Sequence, residues 1–232
     1  MRHPFSPRIS FGGPITPAVT LLLITFGVTF ILQHLGGEKT FFIFGLTPPV
    51  VWKNFFFWQL ISYIFLHRDI FHLFFNLLGL YIFGCALERQ WGPWFFLKYF
   101  FICALGAGIT TLCFTPSVAI PTVGISGALF GILLAYTFYY LDQDLSATFP
   151  FPVRIKYLVL IYGFLIFYFT FRNNGSITNL AHLGGMVFGF FYFNLYSVKH
   201  VFMKQIRNYR AMRIRKRYRV VEGGKSLRRD VR

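Results

Sequence analysis

The strongest constraint on this fold is a series of long apolar stretches, each bounded by charged residues, proline or glycine. A bilayer core of roughly 30 Å is crossed by about 20 helical residues, and six stretches come close to that length. They cover residues 17–35, 71–87, 94–114, 126–141, 153–171 and 177–198. The pattern predicts an all-α polytopic membrane protein with six transmembrane helices. The first stretch lies too far from residue 1 for a cleaved signal peptide.

Composition agrees with this prediction and excludes other classes. Hydrophobic residues make up 56% of the chain and charged residues only 13%, whereas soluble domains carry about 25% charged residues. A disordered chain would need low hydrophobicity. Three cysteines cannot all pair, so a small disulfide-rich module is also excluded.

The distribution of positive charge predicts the orientation in the membrane. With six crossings, nineteen of the 23 Lys and Arg residues fall on the side of the two termini, and four fall on the other side. Positive residues accumulate on the cytoplasmic side of membrane proteins. We therefore expect both termini in the cytoplasm.

The segment between the first two crossings, residues 36–70, is too long for a turn and too apolar for a solvated loop. We expect one or two short helices in the outer interface, with Trp52, Trp58 and Tyr63 at the level of the headgroups. A seventh crossing is the alternative, but it would place the basic C-terminal segment outside and break the charge rule.

The composition changes again at Lys199, where basic residues alternate with apolar ones. This pattern favours a helix that continues onto an anionic membrane surface, so anionic lipids are the predicted partners. Nucleic-acid binding is the weaker alternative and is not expected. The chain is thus divided into an N-terminal tail (1–16), a transmembrane domain (17–198) and a basic cytoplasmic tail (199–232). No sequence signal fixes an oligomeric state.

Polar side chains inside predicted crossings are costly, and four of them are candidates for function. His72 and Asn76 lie in the second crossing, Ser126 opens the fourth, and His182 lies in the sixth. At 1.5 Å per residue all four fall in the outer third of the membrane. His72 and Asn76 are four residues apart and share a helix face. No crossing has a central carboxylate, so a proton or cation pathway is not supported.

Glycine pairs follow the serine and the histidine. Gly127 and Gly131 are four residues apart, as are Gly185 and Gly189. Such pairs let helix backbones come close together, which would bring Ser126 within hydrogen-bond reach of His182. Packing without any catalytic role is the alternative reading of these glycines.

These residues resemble the rhomboid family of intramembrane serine proteases. The resemblance rests on Gly124-Ile125-Ser126-Gly127 with Phe130 and Gly131, on Ala181-His182-Leu183-Gly184-Gly185 with Gly189, on His72-Leu73-Phe74-Phe75-Asn76, and on Glu88-Arg89 with Gly92. Along the chain, these motifs together cover most of residues 55–195. One departure is Trp58-Gln59, where many bacterial members have Trp-Arg.

The resemblance implies a six-helix rhomboid-type bundle that hydrolyses peptide bonds in or near transmembrane segments of substrate proteins. Ser126 would be the nucleophile and His182 the general base of a dyad, with Phe130 packed against the imidazole. His72 and Asn76 would stabilise the oxyanion, and Gly124 would let the loop backbone approach the substrate carbonyl. Gln59 and His67 would line a wet pocket open to the outer face. Neither a metal nor another cofactor is implied.

The resemblance also implies a location in the plasma (inner) membrane of a bacterial or archaeal cell. Two other functions remain open at this level. One is a proteolytically inactive relative that acts as a membrane chaperone or sorting factor, although the intact Ser126 and His182 argue against it. The other is a small channel or transporter, which the missing central carboxylates and the absence of an internal repeat disfavour.

Overall fold

The computed structural model of the chain describes residues 14–140, 157, 179–195, 219–220 and 226–227. The helices in these ranges are α1 (Pro17–Gly36), α2 (Glu38–Phe44), α3 (Pro48–Asn54), α4 (Gln59–Ser62), α5 (Ile70–Gly79), α6 (Cys85–Trp91), α7 (Pro93–Phe114), α8 (Ser126–Tyr140) and α9 (residues 179–195). A 3₁₀ turn covers Tyr63–Phe65, and a π-helical turn, Leu80–Gly84, joins α5 to α6. The chain forms two compact units, Met1–Tyr192 and Phe193–Arg232. In the second unit, the short strands Arg219–Val220 and Ser226–Leu227 pair antiparallel.

Three helical segments are long and apolar enough to cross a membrane. They are Pro17–Gly36, Ile70–Trp91 and Pro93–Phe114, where Ile70–Trp91 comprises α5, the π turn and α6. These segments confirm the first three predicted stretches as helices. The apolar helix α8 begins at Ser126, as predicted, and α9 covers the middle of the sixth stretch. Apart from residue 157, the fifth stretch, residues 153–171, lies outside the described residues, as does most of the basic tail.

The N-terminus of α1 is tied to the end of α6 by a buried carboxylate. Glu88 accepts hydrogen bonds from the backbone N–H groups of Ala18 and Val19, both at 2.9 Å, and from the hydroxyl of Thr16. The first N–H groups of a helix have no partner within it, and a negative charge there is favourable. Arg89 adds a bond to the carbonyl of Pro14 at 3.2 Å. The motif Glu88-Arg89 therefore holds two helices of the bundle together.

The segment between α1 and α5 contains three short helices, α2, α3 and α4, where one or two were expected. Trp52 and Trp58 are about half exposed in the structure. Tyr63, which was expected beside the headgroups, differs from these two tryptophans. Its ring is buried, and its hydroxyl donates to the carbonyl of Ala104 in α7 at 2.7 Å. A buried tyrosine hydroxyl usually finds a hydrogen-bond partner, and here α7 supplies it.

The loop between α7 and α8 is hydrogen-bonded to the segment between α1 and α5 rather than left without backbone partners. Leu46 and Thr122 exchange two backbone hydrogen bonds, at 3.0 and 2.9 Å. The N–H of Gly124 donates to the carbonyl of Tyr63 at 3.0 Å. Unpaired backbone is not tolerated at membrane depth unless protein covers it. The loop that leads into Ser126 is thus packed and hydrogen-bonded from one side by residues 46–63.

Candidate active site

Ser126 is the first residue of α8 and follows a turn that requires glycine. Gly124 has φ +101°, a conformation that residues with side chains rarely adopt. This turn places the Ser126 side chain at the N-terminus of a helix. Its backbone N–H is among those without a partner inside the helix, and the helix dipole favours negative charge at this end.

The histidine of α9 contacts this serine directly. Nε2 of His182 lies 2.7 Å from Oγ of Ser126, although the two residues are 56 positions apart in the chain. The ring of Phe130, one helical turn after the serine, packs on the imidazole with centroids 4.3 Å apart and planes inclined by 31°. Nδ1 of His182 is buried and has no hydrogen-bond partner in the part of the chain that the structure describes. The ring is therefore held by stacking and by the serine.

Glycines allow this contact because α8 and α9 meet at their backbones. A β-carbon on Gly185 would overlap the carbonyl oxygen of Gly127, and one on Gly131 would lie 2.9 Å from the carbonyl oxygen of Gly185. Gly189 instead faces α7, where an added β-carbon would lie 2.6 Å from the hydroxyl oxygen of Tyr99. Any side chain at Gly185 would push the two helices apart.

Two side chains of α5 point at the backbone just before Ser126. A β-carbon on Gly124 would lie 2.9 Å from Nε2 of His72 and 3.4 Å from Nδ2 of Asn76. Both nitrogens thus converge on the space beside Gly124. The buried Nδ2 of Asn76 has no hydrogen-bond partner among the described residues. Such N–H groups can donate to an oxygen that becomes negative during a reaction.

Gln59 is fully buried, and its hydrogen bonds go to residues of the segment between α1 and α5 rather than to Ser126 or His182. Its Oε1 accepts from the N–H of Thr47 at 3.0 Å, and its Nε2 donates to the carbonyl oxygens of Phe42 at 2.8 Å and Ile43 at 3.2 Å. The side chain thereby joins α2, α3 and α4. The departure from Trp-Arg at this position leaves a well-connected loop.

His67 is buried beside His72, with their ring centroids 5.3 Å apart. Neither ring nitrogen of His67 has a hydrogen-bond partner within the described ranges. Burial lowers the pKa of His67 from 6.5 to about 3, and the proximity of His72 contributes in the same direction. His67 is therefore neutral at physiological pH.

The lowered pKa of His67 predicts acid sensitivity. Below about pH 6.5 the unfolded chain binds a proton at this residue that the folded chain does not bind until about pH 3. The free energy of unfolding should therefore fall as pH falls through this window, by at most about 1.4 kcal/mol per pH unit from this group. Unfolding in detergent at pH 7.5 and pH 4.5 should show a smaller acid-induced loss for His67→Leu than for the wild type. Ile64→Val, a buried aliphatic change nearby, should keep the wild-type pH dependence, and equal losses in His67→Leu and wild type would contradict the assignment.

Three residues around His72 were not singled out from the sequence. Asp69 caps α5, and its Oδ1 accepts from the N–H of His72 at 2.8 Å. Gln33 and Arg68 make further contacts to the same turn. An Asp directly before an apolar helix is a helix-start signal, and an amide within an apolar crossing is unusual. Both signals were therefore available for Asp69 and Gln33.

The fold and the site together define a class: a multi-pass helical membrane protein with a serine and a histidine in contact between two helices. Within the described residues, no three His, Cys, Asp or Glu side chains are grouped so as to hold a metal ion. The chemistry available at the site is that of a nucleophile, a base and nearby N–H donors.

Comparison with known proteins identifies the family. The Rhomboid domain matches residues 54–199 of this chain, a range that includes α5 to α9 and both members of the serine–histidine pair. The chain belongs to the rhomboid family.

Similar proteins come from bacteria and plants. Over 180 residues the chain is 32% identical to rhomboid protease GluP of Bacillus subtilis, covering 75% of this chain and 34% of that protein. It is 27% identical over 216 residues to rhomboid protease AarA of Providencia stuartii, covering 81% and 76%. It is also 27% identical over 162 residues to inactive RHOMBOID-like protein 8 of Arabidopsis thaliana, covering 67% and 40%. The matched region thus spans about a third of GluP and most of AarA.

Proposed function

We propose that this protein is an intramembrane serine endopeptidase, which cleaves peptide bonds in or near the transmembrane segments of other membrane proteins. The observation that carries the proposal is the 2.7 Å contact between His182 Nε2 and Ser126 Oγ. A serine becomes a strong nucleophile when an adjacent base can take its proton, and nothing in helix packing alone requires these two groups to meet.

The first half of the proposed reaction forms an acyl-enzyme. Ser126 Oγ attacks the carbonyl carbon of the substrate peptide while His182 Nε2 takes the hydroxyl proton. The carbonyl oxygen becomes negative and receives hydrogen bonds from the Ser126 backbone N–H, from Asn76 Nδ2 and from His72 Nε2. The C–N bond then breaks, and His182 returns the proton to the departing amine.

The second half reverses the roles with water. His182 removes a proton from a water molecule that attacks the ester carbon, the same donors stabilise the second oxyanion, and the ester bond breaks to return the proton to Ser126 Oγ. Phe130 would keep the imidazole in place through both halves, since no carboxylate contacts Nδ1 among the described residues. The catalytic unit is thus a dyad.

The membrane arrangement is part of the same proposal. We place the protein in the plasma (inner) membrane with six crossings, both termini in the cytoplasm and the dyad accessible from the outer face. A helical substrate has all its carbonyls hydrogen-bonded, so its segment must unwind before Ser126 can attack. The basic tail, residues 199–232, would bind anionic lipids on the cytoplasmic side.

An inactive role is the second candidate, because one similar protein is named inactive. A chaperone or sorting factor would bind membrane segments without a nucleophile–base contact. The Ser126–His182 contact favours hydrolysis instead, as does Asn76 Nδ2, which has no hydrogen-bond partner in the described part of the chain.

Labelling with a fluorophosphonate separates the two candidates. The detergent-solubilised wild type should be modified at Ser126, and His182→Ala should show at least about 10²-fold slower labelling because the base is missing. The measurement is intact-protein mass spectrometry followed by peptide mapping. Ser62→Ala is the control, because the Ser62 hydroxyl donates to the carbonyl of Phe44 and does not contact His182. This variant should be labelled at the wild-type rate. Equal labelling of wild type and His182→Ala would contradict the dyad.

A further inference from the structure

A glutamine in α1 holds the peptide group just before α5. Nε2 of Gln33 donates to the carbonyl oxygen of His67 at 2.6 Å, and Oε1 of Gln33 accepts from the N–H of the same residue at 3.0 Å. Both residues are buried. Two hydrogen bonds from one planar amide fix the position of the His67 backbone and also its orientation. Gln33, although it lies in a predicted membrane crossing, thus orients the backbone of the turn before α5.

The N–H that follows this turn points at the ring of His72. The backbone N–H of Arg68 donates to Nδ1 of His72 at 3.4 Å. A ring nitrogen that accepts a hydrogen bond carries no proton, so a neutral His72 must carry its proton on Nε2. The Asp69 cap, which binds the N–H of His72, keeps the first turn of α5 in register with Arg68.

The same ring nitrogen, Nε2 of His72, faces Gly124 and the space beside Ser126. It can stabilise an oxyanion there only if it bears a proton. With the proton on Nδ1 instead, Nε2 would present a lone pair to the negative oxygen and repel it. The tautomer of His72 therefore decides whether this side chain assists or opposes the proposed reaction.

We propose that Gln33 is a positioning residue for this chemistry. Through the peptide of His67 it places the Arg68 N–H against Nδ1 of His72 and so selects the tautomer that donates from Nε2. Gln33 itself touches neither the serine nor the substrate. This inference rests on the proposed function for its kinetic consequence, whereas its structural statement, the tautomer, can be tested without any activity.

A kinetic comparison tests the role of Gln33. In Gln33→Met the side chain keeps a similar length but loses both hydrogen bonds. We expect kcat to fall about 10-fold and KM to change less than about 2-fold. The fall is smaller than the roughly 10²–10³-fold loss of kcat on removing a whole oxyanion donor. Thr29→Val is the matched control, because the Thr29 hydroxyl in α1 also donates to a backbone carbonyl between α1 and α5, that of Phe65 at 2.9 Å. It should keep kcat within about 2-fold. A rise in KM at unchanged kcat in Gln33→Met would overturn the proposal.

A double mutant separates positioning from damage to the fold. If Gln33 acts through His72, Gln33→Met should change kcat by less than about 2-fold in a His72→Ala background, because effects on one shared group do not add. The full 10-fold loss in both backgrounds would show that Gln33 acts by another route. Where Gln33→Met does not fold, Gln33→Asn, which shortens the reach by one methylene, replaces it with the same expectations.

Nitrogen-15 NMR of the histidine rings in bilayers gives the direct readout. The wild type should show His72 with a protonated Nε2 and a bare Nδ1, Thr29→Val should match it, and Gln33→Met should show a mixture of the two tautomers. A wild-type His72 ring protonated on Nδ1 would contradict the inference even if the protein cleaves its substrates. Conversely, the expected tautomers in a protein that cleaves nothing would uphold the positioning of His72 by Gln33 and defeat the proposed function.

Discussion

Ser126→Ala should lower the rate of transmembrane-segment cleavage by at least about 10⁴-fold. Removing the nucleophile leaves only the oxyanion donors and substrate binding, and in serine hydrolases this costs several orders of magnitude. The fold should survive, since within the described residues the hydroxyl contacts only His182, and the loss of one such hydrogen bond costs about 1 kcal/mol. The measurement is cleavage of a panel of single-pass segments in proteoliposomes, with unfolding followed in parallel.

Thr137→Val is the control on the same helix. The Thr137 hydroxyl donates to the carbonyl of Leu133 one turn earlier, a local bond within the helix, so its loss should leave cleavage within about 2-fold of wild type. Residual activity above about 1% in Ser126→Ala would mean that another residue attacks the substrate. In that case Ser126 would have a structural role at the start of α8.

Gly185→Ala is the second change with a large expected effect. The added methyl would overlap the carbonyl oxygen of Gly127, and a backbone atom cannot rotate away as a side chain can. The helices α8 and α9 must then separate, which should lower the free energy of unfolding by about 1–3 kcal/mol or more. A displacement of about 1 Å between reacting groups can cost about 10²-fold in rate. We expect cleavage to fall by at least this factor, measured together with thermal unfolding.

Gly27→Ala provides the matched control for this change. Gly27 lies inside α1, where an added β-carbon meets nothing within 4 Å. Alanine in a helix interior is favoured over glycine by about 0.5–1 kcal/mol, so this variant should be equally or more stable and fully active. Wild-type activity and stability in Gly185→Ala would contradict the close packing of α8 on α9.

In the segment between α1 and α5, the sequence predicts the short helices but not the side-chain contacts. Its short helices follow from a stretch too apolar for solvent and too interrupted to span a membrane. Which of its side chains turn inward does not follow. Tyr63 is expected at the headgroups but is buried against Ala104, and Gln59 is expected in the pocket but bonds to the backbone of its own segment. Partners of this kind come from residues far along the chain or from loop backbone, and neither leaves a periodic signal.

The sequence by itself determined the apolar stretches that form α1, α5 to α6 and α7, the start of α8 at Ser126, and the shared helix face of His72 and Asn76. These properties depend on stretch length and on helical periodicity, which are local. Only the tertiary structure decided that His182 Nε2 meets Ser126 Oγ, and that Gln33 reaches the turn before His72. Hydrogen bonds between distant helices depend on ångström-scale backbone approach, which is set by the packing of the whole bundle.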